Sequence, residues 1–204
     1  MLVIGIAGWS GAGKTTLIAK VIPVLNKRGV KVATVKHAHH GFDVDQPGKD
    51  SWTHRQAGAH EVAIVSSRRW AIVHELREEG EPSLAEVLAK LSPVDLVIVE
   101  SFKSHCHPKL EVFRAAVGKP PMHPLDDSIV AVATDAPLPD AQVPVLMLDN
   151  VELVANLLQA NARRPGSWLT ASQYDGREIG SHDGRCSDSE TGARKWSPYG
   201  LERM

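Results

Sequence analysis

The chain predicts an α/β fold, a mainly parallel sheet flanked by helices, with a small β-hairpin inserted. Three features lead there. Short apolar, β-branched runs recur and several are unbroken, the pattern of strands buried on both faces. Amphipathic stretches fill the intervals, and such alternation favours a parallel sheet with helices on its faces. One segment breaks the rule, with two short runs either side of a four-residue turn.

Strands are expected at residues 2–7, 31–36, 94–99, 129–133 and 143–148. Leu17, Ile18, Val21, Ile22 and Leu25 form an apolar stripe at helical spacing, which Gly29 ends. A second helix is expected over 83–91. Pro82 precedes it, and Glu86 stands three residues after Ser83 as in a capping box. A third covers 151–159. The runs at 61–65 and 70–74 flank Ser66-Ser67-Arg68-Arg69 and fit a hairpin better than a crossover. Residues 45–50 read as a turn leading into a short helix, with Asp50 or Ser51 as its N-cap. Beyond Asn161 the chain turns rich in Gly, Ser, Asp and Arg, and Trp168, Tyr174, Trp196 and Tyr199 are too scattered to build a core. One domain over 1–162 and a polar, disordered tail over 163–204 are therefore expected.

The chemistry begins at Gly8-Trp9-Ser10-Gly11-Ala12-Gly13-Lys14-Thr15, which satisfies G-x-x-x-x-G-K-[ST] and is followed by Thr16. Glycines let the backbone turn its N–H groups inward as a nest for phosphate oxygens. The helix that follows adds unpaired amides and the positive end of its dipole. Lys14 supplies a charge for the β- and γ-phosphates, and the Thr15 hydroxyl is a ligand for Mg²⁺. A glycine turn can match the pattern by chance, but here an apolar strand precedes it and an amphipathic helix follows, which is the confirming context. The residues expected to hold a nucleotide are thus Gly8, Trp9, Ser10, Gly11, Ala12, Gly13, Lys14, Thr15 and Thr16.

Such a loop needs a carboxylate on a neighbouring strand to hold the metal or its water shell. Glu100, which ends the apolar run Val97-Ile98-Val99, is the candidate. The segment from Lys36 to Asp45 follows the second strand and should face the same pocket, because ligands bind beyond the carboxyl ends of parallel strands. Asp43 or Asp45 could reach Mg²⁺ or orient a water for attack on the γ-phosphate, and Asp45 is the tentative catalytic residue. His37, His39 and His40 suggest zinc, but only His105-Cys106-His107 offers a second cluster, so a nucleotide-facing loop is the better reading.

Composition narrows the function. With 43% hydrophobic and 23% charged residues the chain has an ordinary globular core, and a formal net charge of −1 argues against nucleic acid as main partner. Two cysteines are too few for a disulfide framework, which suits a reducing, cytoplasmic setting. No secretory signal is visible, and the apolar runs fall well short of the ~20 residues that span a bilayer, so no membrane association is expected.

The chain also resembles a known family, the molybdopterin-guanine dinucleotide biosynthesis adaptor proteins (MobB). Residues from about Val3 to Asn161 carry the likeness. Its marks are the loop from Gly8 to Leu17, Val35-Lys36-His37 with His40, Asp43-Val44-Asp45, and Pro47-Gly48-Lys49-Asp50-Ser51. Arg55, Ala57-Gly58-Ala59, Arg69-Trp70-Ala71, Val99-Glu100-Ser101-Phe102-Lys103, the stretch from Lys109 to Arg114, and Ala131-Val132-Ala133-Thr134-Asp135 complete them.

The resemblance implies a GTP- and Mg²⁺-binding protein, usually a homodimer and at most a weak GTPase. It would support a partner nucleotidyltransferase, the molybdenum cofactor guanylyltransferase MobA, which itself attaches GMP to molybdopterin. It also makes Asp135 the candidate reader of the guanine edge, although an aspartate before Pro137 is equally an ordinary turn residue. Lys103, Lys109 and Arg114 could present positive charge to a phosphorylated pterin or to an acidic partner. Ser101 departs from the family's usual glycine, and a positive φ there would strain the loop. Two other readings compete: a P-loop small-molecule kinase, and a metallochaperone GTPase built on His37, His39 and His40 with residues 105–107.

Overall fold

A computed structural model describes residues 1–38, 41–102 and 106–168. The chain forms two compact units: Met1–His37 with the described residues from Leu84 onward, and Ala38–Ser83.

The larger unit is built on six strands. They are β1 (Leu2–Ala7), β2 (Val32–Lys36), β5 (Leu96–Glu100), β6 (Lys109–Phe113), β7 (Ile129–Thr134) and β8 (Val145–Met147), in the order β2-β5-β1-β6-β7-β8. All neighbours are parallel. β1 lies between β5 and β6, so its carboxyl end, where the glycine loop starts, is flanked by the ends of both. Helices α1 (Lys14–Lys27), α3 (Leu84–Lys90) and α4 (Val151–Asn161) cover the sheet.

Alternate side chains of each strand point to opposite faces, and two separate cores result. On one, Ile4, Ile6, Ile98, Leu110 and Val112 pack with Leu17, Val21 and Leu25 of α1 and with Val154, Leu157 and Leu158 of α4. On the other, Val3, Val35, Val97 and Val99 pack with Leu84 and Leu88 of α3. Each fully buried aliphatic contributes about 1.5–3 kcal/mol, so the α1 stripe holds that helix against the sheet. Asn150 caps α4, its Oδ1 accepting the Leu153 amide at 3.1 Å.

β6 is the strand that the apolar pattern does not reveal. Its Lys-Leu-Glu-Val-Phe sequence alternates charge with hydrocarbon and reads as a half-exposed edge, yet every residue in it is buried. The interior supplies partners for the charges. Lys109 Nζ donates to Ser128 Oγ at 2.6 Å and meets Asp126 at 3.1 Å. The Glu111 carboxylate accepts the amides of Met122 and His123 at 2.7 and 2.9 Å.

Beyond α4 the chain stays in contact with this unit as far as Trp168. Arg163 and Val3 exchange both backbone hydrogen bonds, at 2.8 and 3.0 Å. After a 3-10 turn at Pro165–Ser167, Trp168 packs on the second core with its ring 5.4 Å from that of His107. The rest of the expected tail, with Tyr174, Cys186, Trp196 and Tyr199, lies outside the described residues.

The smaller unit holds α2 (Asp50–Gln56) and the antiparallel pair β3 (Glu61–Val65) and β4 (Trp70–His74), the hairpin expected from sequence. Ser66 closes its turn: its Oγ donates to the Arg69 carbonyl at 2.9 Å and accepts the Arg69 amide at 3.1 Å. The N-cap of α2 is Lys49, one residue earlier than expected, and Asp50 is the first helical residue.

Candidate nucleotide-binding site

The loop from Gly8 to Thr15 joins β1 to α1, and local sterics explain its glycines. A Cβ on Gly8 would lie 2.4 Å from the Val112 carbonyl oxygen, because the loop leaves β1 pressed against β6. Gly13 caps α1 at φ 95°, a left-handed conformation in which other residues are strained. The chain thus turns sharply and delivers the first amides of α1 to the end of the sheet. Lys14 lies across the loop, its Nζ donating to the carbonyls of Gly8 at 2.9 Å and Trp9 at 3.1 Å. Trp9 donates its indole N–H to the Pro120 carbonyl at 2.8 Å. Ala12 is buried, while Ser10, Gly11, Thr15 and Thr16 are exposed.

Glu100 is where the sequence puts it, at the carboxyl end of β5 opposite Ile6 of β1. Its side chain is nearly buried, and it accepts a hydrogen bond from the Thr15 hydroxyl at 3.0 Å. Lys36 Nζ stands 3.8 Å from the same carboxylate oxygen. A neutral and an anionic oxygen, adjacent at the start of a helix, are the hard donors that Mg²⁺ takes alongside phosphate and water. The residues present fit the ion.

Arg114, just beyond β6, closes the other side. Its Nε donates to the Ala12 carbonyl at 3.1 Å and its guanidinium binds Asp135 at 2.6 Å. This one side chain bridges the phosphate loop and the candidate guanine reader. The sequence supplied Arg114 only as a surface cation. Its placement depends on β6, the strand that alternation concealed. Lys109 is corrected more sharply: it is almost wholly buried and offers no charge to a ligand or partner. Burial pushes its ammonium below the usual lysine range, against the opposing pull of Asp126. Lys103, His39, His40 and His105 lie outside the described residues.

Asp43 and Asp45 belong to the smaller unit, where both carboxylates bind Arg55. Asp45 meets the guanidinium at 2.6 and 3.2 Å, Asp43 at 2.7 Å, and Glu75 joins the same group. The Arg55 hydrogen bonds hold the Asp45 carboxyl below the usual aspartate range, and the Arg55 guanidinium is raised in turn, first by Asp45.

A parallel sheet whose central strand runs through such a loop into a helix, with a carboxylate from the next strand on the loop threonine, defines a P-loop NTPase fold. A family model described as "Molybdopterin guanine dinucleotide synthesis protein B" matches residues 3–135. The molybdopterin-guanine dinucleotide biosynthesis adapter protein of Escherichia coli (strain K12) is 41% identical over 155 residues, 74% of this chain and 88% of that protein. The protein of the same name from Haemophilus influenzae is 37% identical over 159 residues, 76% of this chain and 86% of that one. A crystal structure of molybdopterin-guanine biosynthesis protein B is 32% identical with a TM-score of 0.61, over 78% of this chain and 97% of the other. The chain belongs to the MobB family. Neither the kinase reading nor the metallochaperone reading is favoured by these relatives.

Proposed function

We propose that this chain is a GTP-binding adaptor in molybdenum cofactor biosynthesis. It would bind Mg²⁺-GTP and support a partner guanylyltransferase, MobA, in converting molybdopterin to its guanine dinucleotide. The observation that carries the nucleotide part is the Thr15–Glu100 hydrogen bond beside Lys14 at the start of α1. The relatives' shared name, adapter protein, supports the role.

Each residue then has a task. The loop amides and the α1 terminus take the phosphate oxygens, and Lys14 shifts from its loop carbonyls to the β- and γ-phosphates. Thr15 and Glu100 would hold Mg²⁺, which neutralises phosphate charge when bound. Asp135 would accept from the guanine N–H groups, and Arg114 couples it to the loop. Asp45 is committed to Arg55, and its release is the condition for any part in ordering an attacking water. Hydrolysis is accordingly expected to be slow. A cytoplasmic location would suit a protein that uses GTP in this way.

A homodimer suits the hairpin. Val65, Trp70 and Ile72 share one exposed face, an apolar surface that a second copy would cover.

The functional test is reconstitution. With Mg²⁺-GTP, molybdopterin and the partner guanylyltransferase, this chain should raise the yield of the dinucleotide, and alone it should make none. No stimulation over the partner alone would overturn the adaptor role.

A further inference from the structure

We propose that the smaller unit carries a resident transition-metal site formed by His60, His74 and Glu79. Among the described residues, their ligand atoms form a group of nitrogens and oxygens all within 4.8 Å of one another. His60 precedes β3, His74 ends β4, and Glu79 lies in the turn beyond, so hairpin pairing brings them together across nineteen residues of chain. None of the three belongs to the phosphate loop or to the histidine segment near residue 40.

The geometry is that of ligands around a shared ion. Glu79 places one oxygen 3.2 Å from His60 Nε2 and the other 3.1 Å from His74 Nε2. With metal–nitrogen and metal–oxygen bonds of about 2.0–2.2 Å, tetrahedral ligands stand roughly 3.3 Å apart. The rings of His60 and His74 meet edge to face, with centroids 4.6 Å apart, which leaves both Nε2 atoms turned to the one carboxylate.

The supporting residues make the site more than a crowded surface. Glu61 stands 2.8 Å from His74 Nδ1 and Glu79 3.1 Å from its Nε2; with an ion bound, the Nδ1 proton would stay hydrogen-bonded to Glu61 and leave the Nε2 lone pair to the metal. A carboxylate behind a ligating histidine in this way is the usual means of orienting the ring and raising its basicity. The turn that carries Glu79 is tied down as well. Its amide bonds the Leu76 carbonyl at 2.6 Å, and Arg77, at φ 48°, donates to the Ala59 carbonyl at 3.1 Å. The Glu75 amide bonds the His60 carbonyl at 3.0 Å. The backbone beside all three ligands is thus fastened to itself.

Two imidazoles and one carboxylate suit Zn²⁺, Co²⁺ or Ni²⁺ rather than Mg²⁺, which prefers oxygen. Water would complete the coordination. Such an ion would clip the open end of the hairpin, on the face that also presents Trp70 and Ile72. It is a resident ion, independent of the nucleotide.

The test uses the full-length, nucleotide-free chain titrated with Zn²⁺ by calorimetry and with Co²⁺ by visible absorption. A site lost in both His60→Ala and Glu79→Gln, at least tenfold weaker in each, is expected. Glu61→Gln should weaken it by about tenfold through the ring it orients. Both His60 and Glu79 are exposed, so neither change threatens folding. No ion bound by the wild type, or binding unaltered in His60→Ala or Glu79→Gln, overturns the proposal.

Discussion

Ser101 shows how one residue can record a constraint it does not satisfy well. It follows Glu100 directly and adopts φ 73°, a region that favours glycine. The departure from the family's Val-Glu-Gly-Phe-Lys pattern was visible in the sequence, but its conformation was not. The left-handed conformation costs a side-chain-bearing residue about 1–2 kcal/mol, and glycine's extra unfolded-state entropy returns roughly 0.5–1 of it. Ser101→Gly should therefore stabilise the chain by about 0.5–1 kcal/mol in urea unfolding; a loss of stability would mean that the hydroxyl has an essential partner. Asp45 has a different signature. Its folded pKa is depressed by Arg55, so the pair contributes fully above about pH 4, the ordinary aspartate value, and is lost as pH falls through the lower folded value. Acid unfolding followed by fluorescence should show Asp45→Asn with a flatter pH dependence below that point. An unchanged acid limb would remove Asp45 from the balance.

Among the elements, the glycine loop, α1 and β5 were legible because their residue types leave few alternatives. Glycines before Lys-Thr must turn, and an unbroken run ending in Glu must be a buried strand with a polar tip. β6 was hidden because burial of Lys109 and Glu111 depends on partners distant in sequence, at 122–128, which periodicity cannot foresee. Arg114 was hidden with it. The Glu111 carboxylate is fully buried and holds two amides, with His123 Nδ1 at 3.2 Å. Stranding buried donors costs about 1–3 kcal/mol each. Glu111→Ala is expected to lose roughly 3–5 kcal/mol of unfolding free energy, and Glu111→Gln, which keeps one acceptor, about half as much. Equal, small losses in the two would show that water replaces the carboxylate.

At the scale of the whole molecule, the backbone bridge from Arg163 to β1 and the packing of Trp168 on the second core were not legible in the sequence. Arg163 pairs through its backbone, which any residue can do, and a lone tryptophan in a polar stretch carries no period. Assembly is likewise a matter of surface, and the hairpin presents large apolar side chains to solvent: Val65, Trp70 and Ile72 are 76%, 65% and 54% exposed. If that face joins two copies, Trp70→Glu should shift the sedimentation coefficient from dimer to monomer without lowering GTP affinity. A dimer that persists in the variant would place the interface elsewhere.

Nucleotide binding by the phosphate loop is tested most directly by calorimetric titration of the full chain with GTP and with ATP, each with and without Mg²⁺. Saturable, Mg²⁺-dependent binding that favours GTP is expected in the wild type, with at least a hundredfold loss in Lys14→Ala, about 2.7 kcal/mol. Lys14 is partly exposed and its Nζ donates to loop carbonyls rather than packing in the core, so that variant should fold as the wild type does. GTP bound as tightly by Lys14→Ala as by the wild type, or ATP preferred over GTP, would contradict the assignment.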